Sequence, residues 1–305
     1  MTNIPRHISA FRGEIAKLFD LSQGKIFYDL TLGDGGHTQE ALEAHCRVVS
    51  VDIDPEAIKR AVSFVPFTPV FVEIESQKIP SDFQWLIIND SFVNIHKWMD
   101  KLHLPKADAL IADLGPSQFQ ILSPERGFSF DADTPLDMRL TSNLGVTAAN
   151  LVNALNEGEL AQLFSLADEP FALPVSRAIV RSRERSPILT AKNLSDLISR
   201  VKGGRIGKIH PATQIFMALR MAVNLEREAI RDLLPQLPSL MNPGGVLGII
   251  SFHSGEDRLV KSFFKEAERE NKIRAITQKP LTPPQSELKI SQRTRSAKLR
   301  LAKII

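Results

Sequence analysis

With 305 residues, 43% hydrophobic and 24% charged, the chain has the composition of a globular protein with enough apolar mass for a real core, as one large domain or two smaller ones. A single cysteine, Cys46, excludes an intrachain disulfide framework and a cysteine-based zinc site, and it fits a reducing compartment. The net charge of +3 with a pI of about 9.0 does not mark a nucleic-acid binder by itself, so the placement of the charges has to carry that question.

No apolar run approaches the roughly 18 residues of a membrane span. The start, Met1-Thr2-Asn3-Ile4-Pro5-Arg6-His7, lacks the charged-then-apolar order of a secretory leader. A soluble cytoplasmic protein is therefore expected. Residues 13–20 predict a short amphipathic helix. Lys25–Leu30 is a short apolar run entering a glycine cluster and predicts a buried strand. Thr38–His45 follows as a helix, Arg47–Asp52 as a second strand, and Pro55 opens the next helix from its first position. Residues 62–85 are rich in Pro, Phe and Val without a helical period. Trp85–Asn89 predicts a third strand and Ala109–Asp113 a fourth, broken at once by Gly115-Pro116. Strands alternating with helices argue for a parallel, doubly wound sheet.

The pattern changes over residues 124–208, which hold helical stretches and loops but no convincing strand. Pro211 starts a long helix with an apolar stripe of Ile215, Leu219, Ala222, Leu225 and Ala229. Val246–Phe252 is a strong strand after Gly244-Gly245, Glu256–Glu270 is helical, and Arg274–Thr277 with Leu299–Ile305 predict a strand pair. The expected organisation is a first part of an α/β core at 1–122, a helical insertion at 123–209 and the second part of the core at 210–305.

The turn Asp29-Leu30-Thr31-Leu32-Gly33-Asp34-Gly35-Gly36-His37 sits at a strand-to-helix switch. Glycines there let a backbone approach a ligand, and the helix start that follows favours an anion. The spacing is not that of a dinucleotide fingerprint, and a phosphate loop with Gly-Lys-Ser/Thr is missing. The methionyl carboxylate of S-adenosylmethionine is one anion that suits the turn; a tight turn holding no ligand fits the same residues. Asp52 ends the second strand, where a carboxylate accepts both hydroxyls of a ribose. Asp54, just before Pro55, suits a helix cap better. Asp113 ends the fourth strand, where it and a turn carbonyl could orient an exocyclic amine toward a methyl. A capping turn explains the same residues. Carbon-5 methylation of cytosine needs a cysteine nucleophile. Cys46, at a helix end, reads as a small buried hydrophobe, so transfer to nitrogen or oxygen is preferred.

Six blocks in order resemble the bacterial small-subunit (16S) rRNA cytosine-N4 methyltransferase family over nearly the whole length. They are His7-Ile8-Ser9, DLTLGDGGHT at 29–38, SPERGFSFDADTPLDMRL at 123–140, KIHPATQIFMALRMAVN at 208–224, NPGGVLGIISFHSGEDRLVK at 242–261 and RTRSAKLRLA at 293–302. The resemblance implies a class I, Rossmann-like methyltransferase fold with an inserted helical RNA-binding domain. It implies S-adenosylmethionine as donor, bound by Gly35, Gly36, His37, Asp52, Phe92, Asp113 and Gln120. It also implies a cytoplasmic enzyme that methylates N4 of a cytosine near the decoding region of 16S rRNA, on free RNA or on the small ribosomal subunit. Homodimer formation is left open and no metal is expected. The chain departs from the family where Pro116 replaces Val, Gln118 replaces Ser and Gly255 replaces Leu.

Arg139, His253 and Ser254 are candidates for touching the target nucleotide. Asp137 and Arg139 could equally lock the insertion onto the core, and His253 could be satisfied by its neighbours next to a helix start at Glu256 and Asp257. Three basic clusters suggest a surface that tracks phosphates: Arg177, Arg181, Arg183 and Arg185; Lys202, Arg205 and Lys208; and Arg293, Arg295, Lys298 and Arg300. Phe128 and Phe130 are candidates for stacking on a base, with core packing favoured for at least one. A non-catalytic RNA-binding assembly factor, and an amino-methyltransferase acting on DNA or a small molecule, are the competing readings.

Overall fold

The computed structural model describes residues 8–73, 78–130, 133–204 and 210–305. It divides into two compact units. One is Gln118–Glu226; the other joins the described residues up to Ser117 with Arg227–Ile305.

The second unit is built on an eight-stranded sheet. Its strands are β1 (Ile26–Asp29), β2 (Arg47–Asp52), β3 (Val70–Val72), β4 (Trp85–Asn89), β5 (Ala107–Asp113), β6 (Met241–Ser251), β7 (Ile273–Ala275) and β8 (Lys298–Ile304). Their order across the sheet is β3-β4-β2-β1-β5-β6-β8-β7. The first six pair in parallel, and β8 runs antiparallel to both β6 and β7. The strands read as continuous apolar runs because the sheet is covered on both faces. Tyr28, Val49, Val51, Leu86, Ile88, Leu110, Leu247 and Ile249 enter one core cluster. The residues between them, Phe27, Val48, Trp85, Ile87, Ala109, Ile111 and Ile250, enter the other. Each large side chain buried this way stabilises the fold by about 1.5–3 kcal/mol relative to exposure.

Two elements differ from expectation here. Val70–Val72 forms a strand that the irregular composition of residues 62–85 concealed. It is a three-residue edge strand with a half-exposed pattern and Phe71 pointing to solvent, so it carries no continuous apolar signal. β6 begins at Met241, five residues before the expected start. Its register with β5 shifts between Ala107 and Ala109, which absorbs the Pro243-Gly244-Gly245 segment as an irregularity.

The other unit is helical, with helices Gln118–Leu122, Ala148–Ala154, Glu157–Ser165, Ala172–Arg183, Ala191–Lys202 and Thr213–Val223. Leu160, Phe164, Val175, Ile179, Leu194, Ile198, Ile215 and Leu219 share its core. The expected boundaries at 123 and 209 therefore lie inside this unit. The stripe of Ile215 and Leu219, assigned from sequence to the second part of the sheet core, packs among the helices instead. The helix after Pro211 also stops at Val223. Leu225 has φ of +50° and is exposed, and a separate helix spans Glu226–Leu233. The stripe continues in sequence, but the left-handed residue breaks the helix that would carry it.

Inside the helical unit the backbone crosses itself at Gly127. Its φ is +70°, and a Cβ there would overlap the Pro135 carbonyl oxygen and lie 2.8 Å from the Asp137 nitrogen, so only glycine fits.

Candidate active site

In an open parallel sheet, ligands sit beyond the carboxyl ends of the strands where the connection direction reverses. Here that point is β1. The chain leaves it toward β2 and β4 on one side, and β5 and β6 lie on the other. Asp29, Asp52, Asn89 and Asp113 end β1, β2, β4 and β5.

Beneath this edge runs a buried polar chain. The Trp85 indole donates to Ser50 Oγ at 3.0 Å, Ser50 and Thr38 hydroxyls are 2.8 Å apart, and Thr38 donates to Asp29 Oδ2 at 2.8 Å. Asp29 is fully buried, and burial raises its pKa against the pull of His37 and the Thr38 hydroxyl. The chain ties β1, β2 and β4 to the helix Gly36–Glu43.

The glycine turn is more protein-bound than its composition suggests. Gly35 caps that helix at φ of +77°, and a Cβ there would lie 2.6 Å from Val65 Cγ2 and 3.3 Å from Ala61 Cβ. A Cβ on Gly36 would overlap the Ser9 hydroxyl and lie 2.9 Å from Ser9 Cβ. These two glycines make room for neighbouring protein segments. Asp34, 2% exposed, is held by both guanidinium branches of Arg60 at 2.8 and 2.9 Å. The tip of the turn is thereby pinned to the helix Pro55–Phe64.

Asp52 accepts from the Gly33 amide at 2.8 Å and the Asp54 amide at 2.9 Å. Burial pushes its carboxyl up to about 7 despite those two donors. Asp54 caps its helix, accepting from the Glu56 amide at 3.1 Å. Asn89 secures the end of β2 through its side-chain amide, which donates to the Asp52 carbonyl at 2.8 Å.

Asp113 has its backbone amide held by Thr31 Oγ1 at 2.7 Å. Its Oδ2 lies 3.4 Å from His37 Nε2. Burial alone would lower the His37 pKa, but the Asp113 carboxylate, backed by Asp29 and Glu40, holds it above the ordinary value. Asp113 Oδ1 and His37 Nδ1 are buried without a hydrogen-bond partner among the described residues. The structure thus brings His37, Asp52 and Asp113 to one sheet edge.

The remaining candidates fall elsewhere. Phe92 opens a short turn after β4 and packs against the core. Gln120 is buried in the helical unit, on Gln118–Leu122. Arg139, a candidate for substrate binding, is bonded within its own loop. Its Nε and Nη2 each hold an Asp137 oxygen at 2.8 Å, and Nη1 donates to the Leu144 carbonyl at 2.7 Å. With every branch engaged, the guanidinium fastens its own loop within the helical unit. His253 caps the helix Ser254–Arg269, Nδ1 accepting from the Glu256 amide at 3.3 Å and Nε2 lying 3.1 Å from Glu256 Oε1. Its Nδ1 serves the cap, its Nε2 is buried without a hydrogen-bond partner among the described residues, and Ser254 beside it is exposed.

The basic clusters divide likewise. Arg183 donates to the Val152 carbonyl, Lys202 pairs with buried Glu169 at 2.8 Å, and Arg300 clasps Asp257 at 2.7 Å. Arg177 pairs with Glu157 on the surface, whereas Arg181, Arg185 and Arg295 are exposed. Lys298 is partly exposed, 3.7 Å from Asp257. Phe128 is core, and Phe130 stacks on His210 with ring centroids 4.4 Å apart. His7, Arg205 and Lys208, and the Arg293 side chain, lie outside the described residues.

Sequence reasoning passed over Arg60, Thr31 and Thr38. Their signal is weak because each acts through a partner distant in sequence; only the acidic Asp34 among glycines hinted that a cation must answer it. Cys46 is buried and its thiol pKa is raised by burial, as expected of a small hydrophobe.

The family model described as the MraW methylase family matches residues 5–305. A curated relative from Carboxydothermus hydrogenoformans, "Ribosomal RNA small subunit methyltransferase H", is 35% identical and covers 97% of each chain. A relative of the same name from Coprothermobacter proteolyticus is 35% identical over 99% of this chain and 97% of its own. A third, from Syntrophotalea carbinolica, is 34% identical over 97% of this chain and 96% of its own. With a family model spanning all but the first four residues and relatives above 30% identity over nearly full length, this chain belongs to the MraW methylase family.

Proposed function

We infer that this chain transfers a methyl group from S-adenosylmethionine to the N4 amine of a cytosine in small-subunit (16S) ribosomal RNA, near the decoding region. The carrying observation is Asp113: a strand-end carboxylate at the switch point, with one oxygen beside His37 and the other buried and unpartnered among the described residues. Family membership and the printed names of the relatives supply the reaction class and the RNA.

When bound, the donor supplies an electrophilic methyl on a sulfonium. The residues present fit it. Asp52 keeps lone pairs for ribose hydroxyls beyond those used by Gly33 and Asp54. Asp113 Oδ1 accepts an N–H of the cytosine amine, which turns the nitrogen lone pair toward the methyl. His37 Nε2 lies beside the other oxygen, 3.4 Å away, and fixes how the carboxylate is turned. The attacking amine is neutral, and its nitrogen sheds a proton after transfer, so the site needs a fixed acceptor more than a strong base. In the helical unit, exposed Arg181 and Arg185 are the cations best placed to meet RNA phosphates. Among the described residues no helix is long and apolar enough to cross a membrane.

Mass spectrometry of small-subunit rRNA from cells with and without this protein tests the reading. The expected result is loss of one N4-methylcytidine, restored when the purified protein and S-adenosylmethionine are added to the unmethylated subunits. A lost methyl that maps to carbon 5 or to a ribose oxygen would overturn the acceptor.

Asp52 adds a pH dependence. Ribose hydroxyls donate to the ionised carboxylate, but below about pH 7 the buried carboxyl holds a proton that binding must expel. Affinity for S-adenosylhomocysteine should therefore rise with pH and level off above 7, by about tenfold between pH 6 and pH 8. Calorimetry on the wild type and on Asp52→Asn reads this out; the variant should bind more weakly with a flatter profile. A flat wild-type profile would remove Asp52 from ribose binding.

A further inference from the structure

Two buried side chains, Glu287 and His37, keep polar atoms without a hydrogen-bond partner among the described residues. Glu287 lies on the helix Gln285–Ile290, its side chain only 6% exposed. Neither of its carboxylate oxygens completes a well-formed hydrogen bond among the described residues. His37 Nδ1, on a ring 3% exposed, is in the same condition. An ionisable side chain buried without a partner is costly and rare, and it marks a place where a ligand completes the bonding.

The surroundings bring the two together. Glu287 is bordered by the Thr294 hydroxyl, by the backbone amides of Phe11 and Arg12, and by the charge of His37. Thr294 gives its own proton to the Ser291 carbonyl at 3.0 Å. The segment that carries Phe11 and Arg12 is fastened to the helix Gly36–Glu43, because Glu40 accepts from the Gly13 amide at 2.6 Å and the Ile15 amide at 3.1 Å. Glu287 therefore lies against a segment fastened to the helix that carries His37, close enough for the His37 charge to act on it. Burial raises the Glu287 pKa, the mark of a carboxylate lacking its counter-charge.

We infer that Glu287 and His37 form the subsite for the amino-acid end of the methyl donor, Glu287 accepting from its α-ammonium and the His37 Nδ1–H donating to its α-carboxylate. This rests on the proposed donor. It assigns Glu287, a residue of the C-terminal segment outside the sequence-derived site, as the group that selects a charged amine. A zwitterion satisfies both orphans at once: the ammonium supplies the missing counter-charge of Glu287, and the carboxylate meets the Nδ1–H of an imidazole whose pKa Asp113 raises against the effect of burial. The first turn of the Gly36–Glu43 helix adds backbone N–H groups that favour the same carboxylate.

The test is calorimetric, with S-adenosylhomocysteine and its deaminated analogue, which keeps the carboxylate but lacks the amine. Wild-type protein should prefer S-adenosylhomocysteine by about ten- to a hundredfold, the range for a charge-assisted hydrogen bond. Glu287→Gln should lose most of that preference while binding the deaminated analogue within about threefold of wild type, and Glu287→Asp should recover part of it. Melting temperatures of the variants check the fold independently. The proposal is overturned if Glu287→Gln weakens both ligands equally, if it changes neither, or if the wild type does not discriminate. Failure of wild-type protein to bind S-adenosylhomocysteine at all would instead remove the donor reading, and this subsite with it.

Discussion

Replacing Asp113 by Asn should lower methyl transfer by about 10²–10⁴-fold at saturating donor and RNA, while S-adenosylhomocysteine still binds and the protein still melts cooperatively. Asn matches Asp in size, and the backbone amide of residue 113 stays anchored on Thr31, so the strand end should hold its place. What changes is the charge. The carboxylate is the main group that raises the His37 pKa against burial, and it offers the cytosine amine an acceptor with no competing hydrogen. A side-chain amide can turn its NH2 toward either His37 or the substrate, and both placements put a donor where an acceptor is needed. Single-turnover methylation of unmethylated small subunits separates this loss from weaker binding. Asp113→Ala should be at least as inactive. An Asn variant that keeps more than a tenth of the wild-type rate would take Asp113 out of the mechanism.

Arg60→Ala should destabilise the protein by about 3–5 kcal/mol, the cost of stranding one member of a buried ion pair. Asp34 is almost wholly buried and accepts from Arg60 Nε and Nη2, so removing the guanidinium takes two charge-assisted hydrogen bonds from a buried carboxylate. The effect should reach the site, because Asp34 lies between Gly33, whose amide holds Asp52, and Gly35, which caps the following helix. Urea unfolding midpoints measure the stability, and donor affinity measures the spread. Asp34→Ala combined with Arg60→Ala should be less destabilised than Arg60→Ala alone, since it removes the stranded charge. A loss below about 1 kcal/mol would place the pair with weak surface ion pairs.

The residues best read in advance were those whose role follows from position on a strand. Asp52 and Asp113 were expected at strand ends because apolar runs predicted the strands, and both stand there. The edge strand at Val70–Val72 left no such trace, because three half-exposed residues cannot display a period. Arg139 and His253 show what position in sequence does not disclose. Each is a chemically capable side chain, and each also has a local contact within three residues, Arg139 with Asp137 and His253 with the Glu256 amide. Arg60 and Glu287 were missed because their meaning depends on groups far away in sequence, Asp34 in one case and His37 in the other.

Short-range periodicity and composition thus determine the class of this fold: strands buried on both faces must be parallel and covered by helices, and a glycine turn after the first of them must open the ligand edge. Which unit the helix after Pro211 joins, which arginines stay in solvent, and which acids lose theirs were decided only when distant segments packed. Those outcomes depend on the three-dimensional neighbours of each group, which set how much water a charge loses and what replaces it; a linear pattern of residue types holds no such quantity.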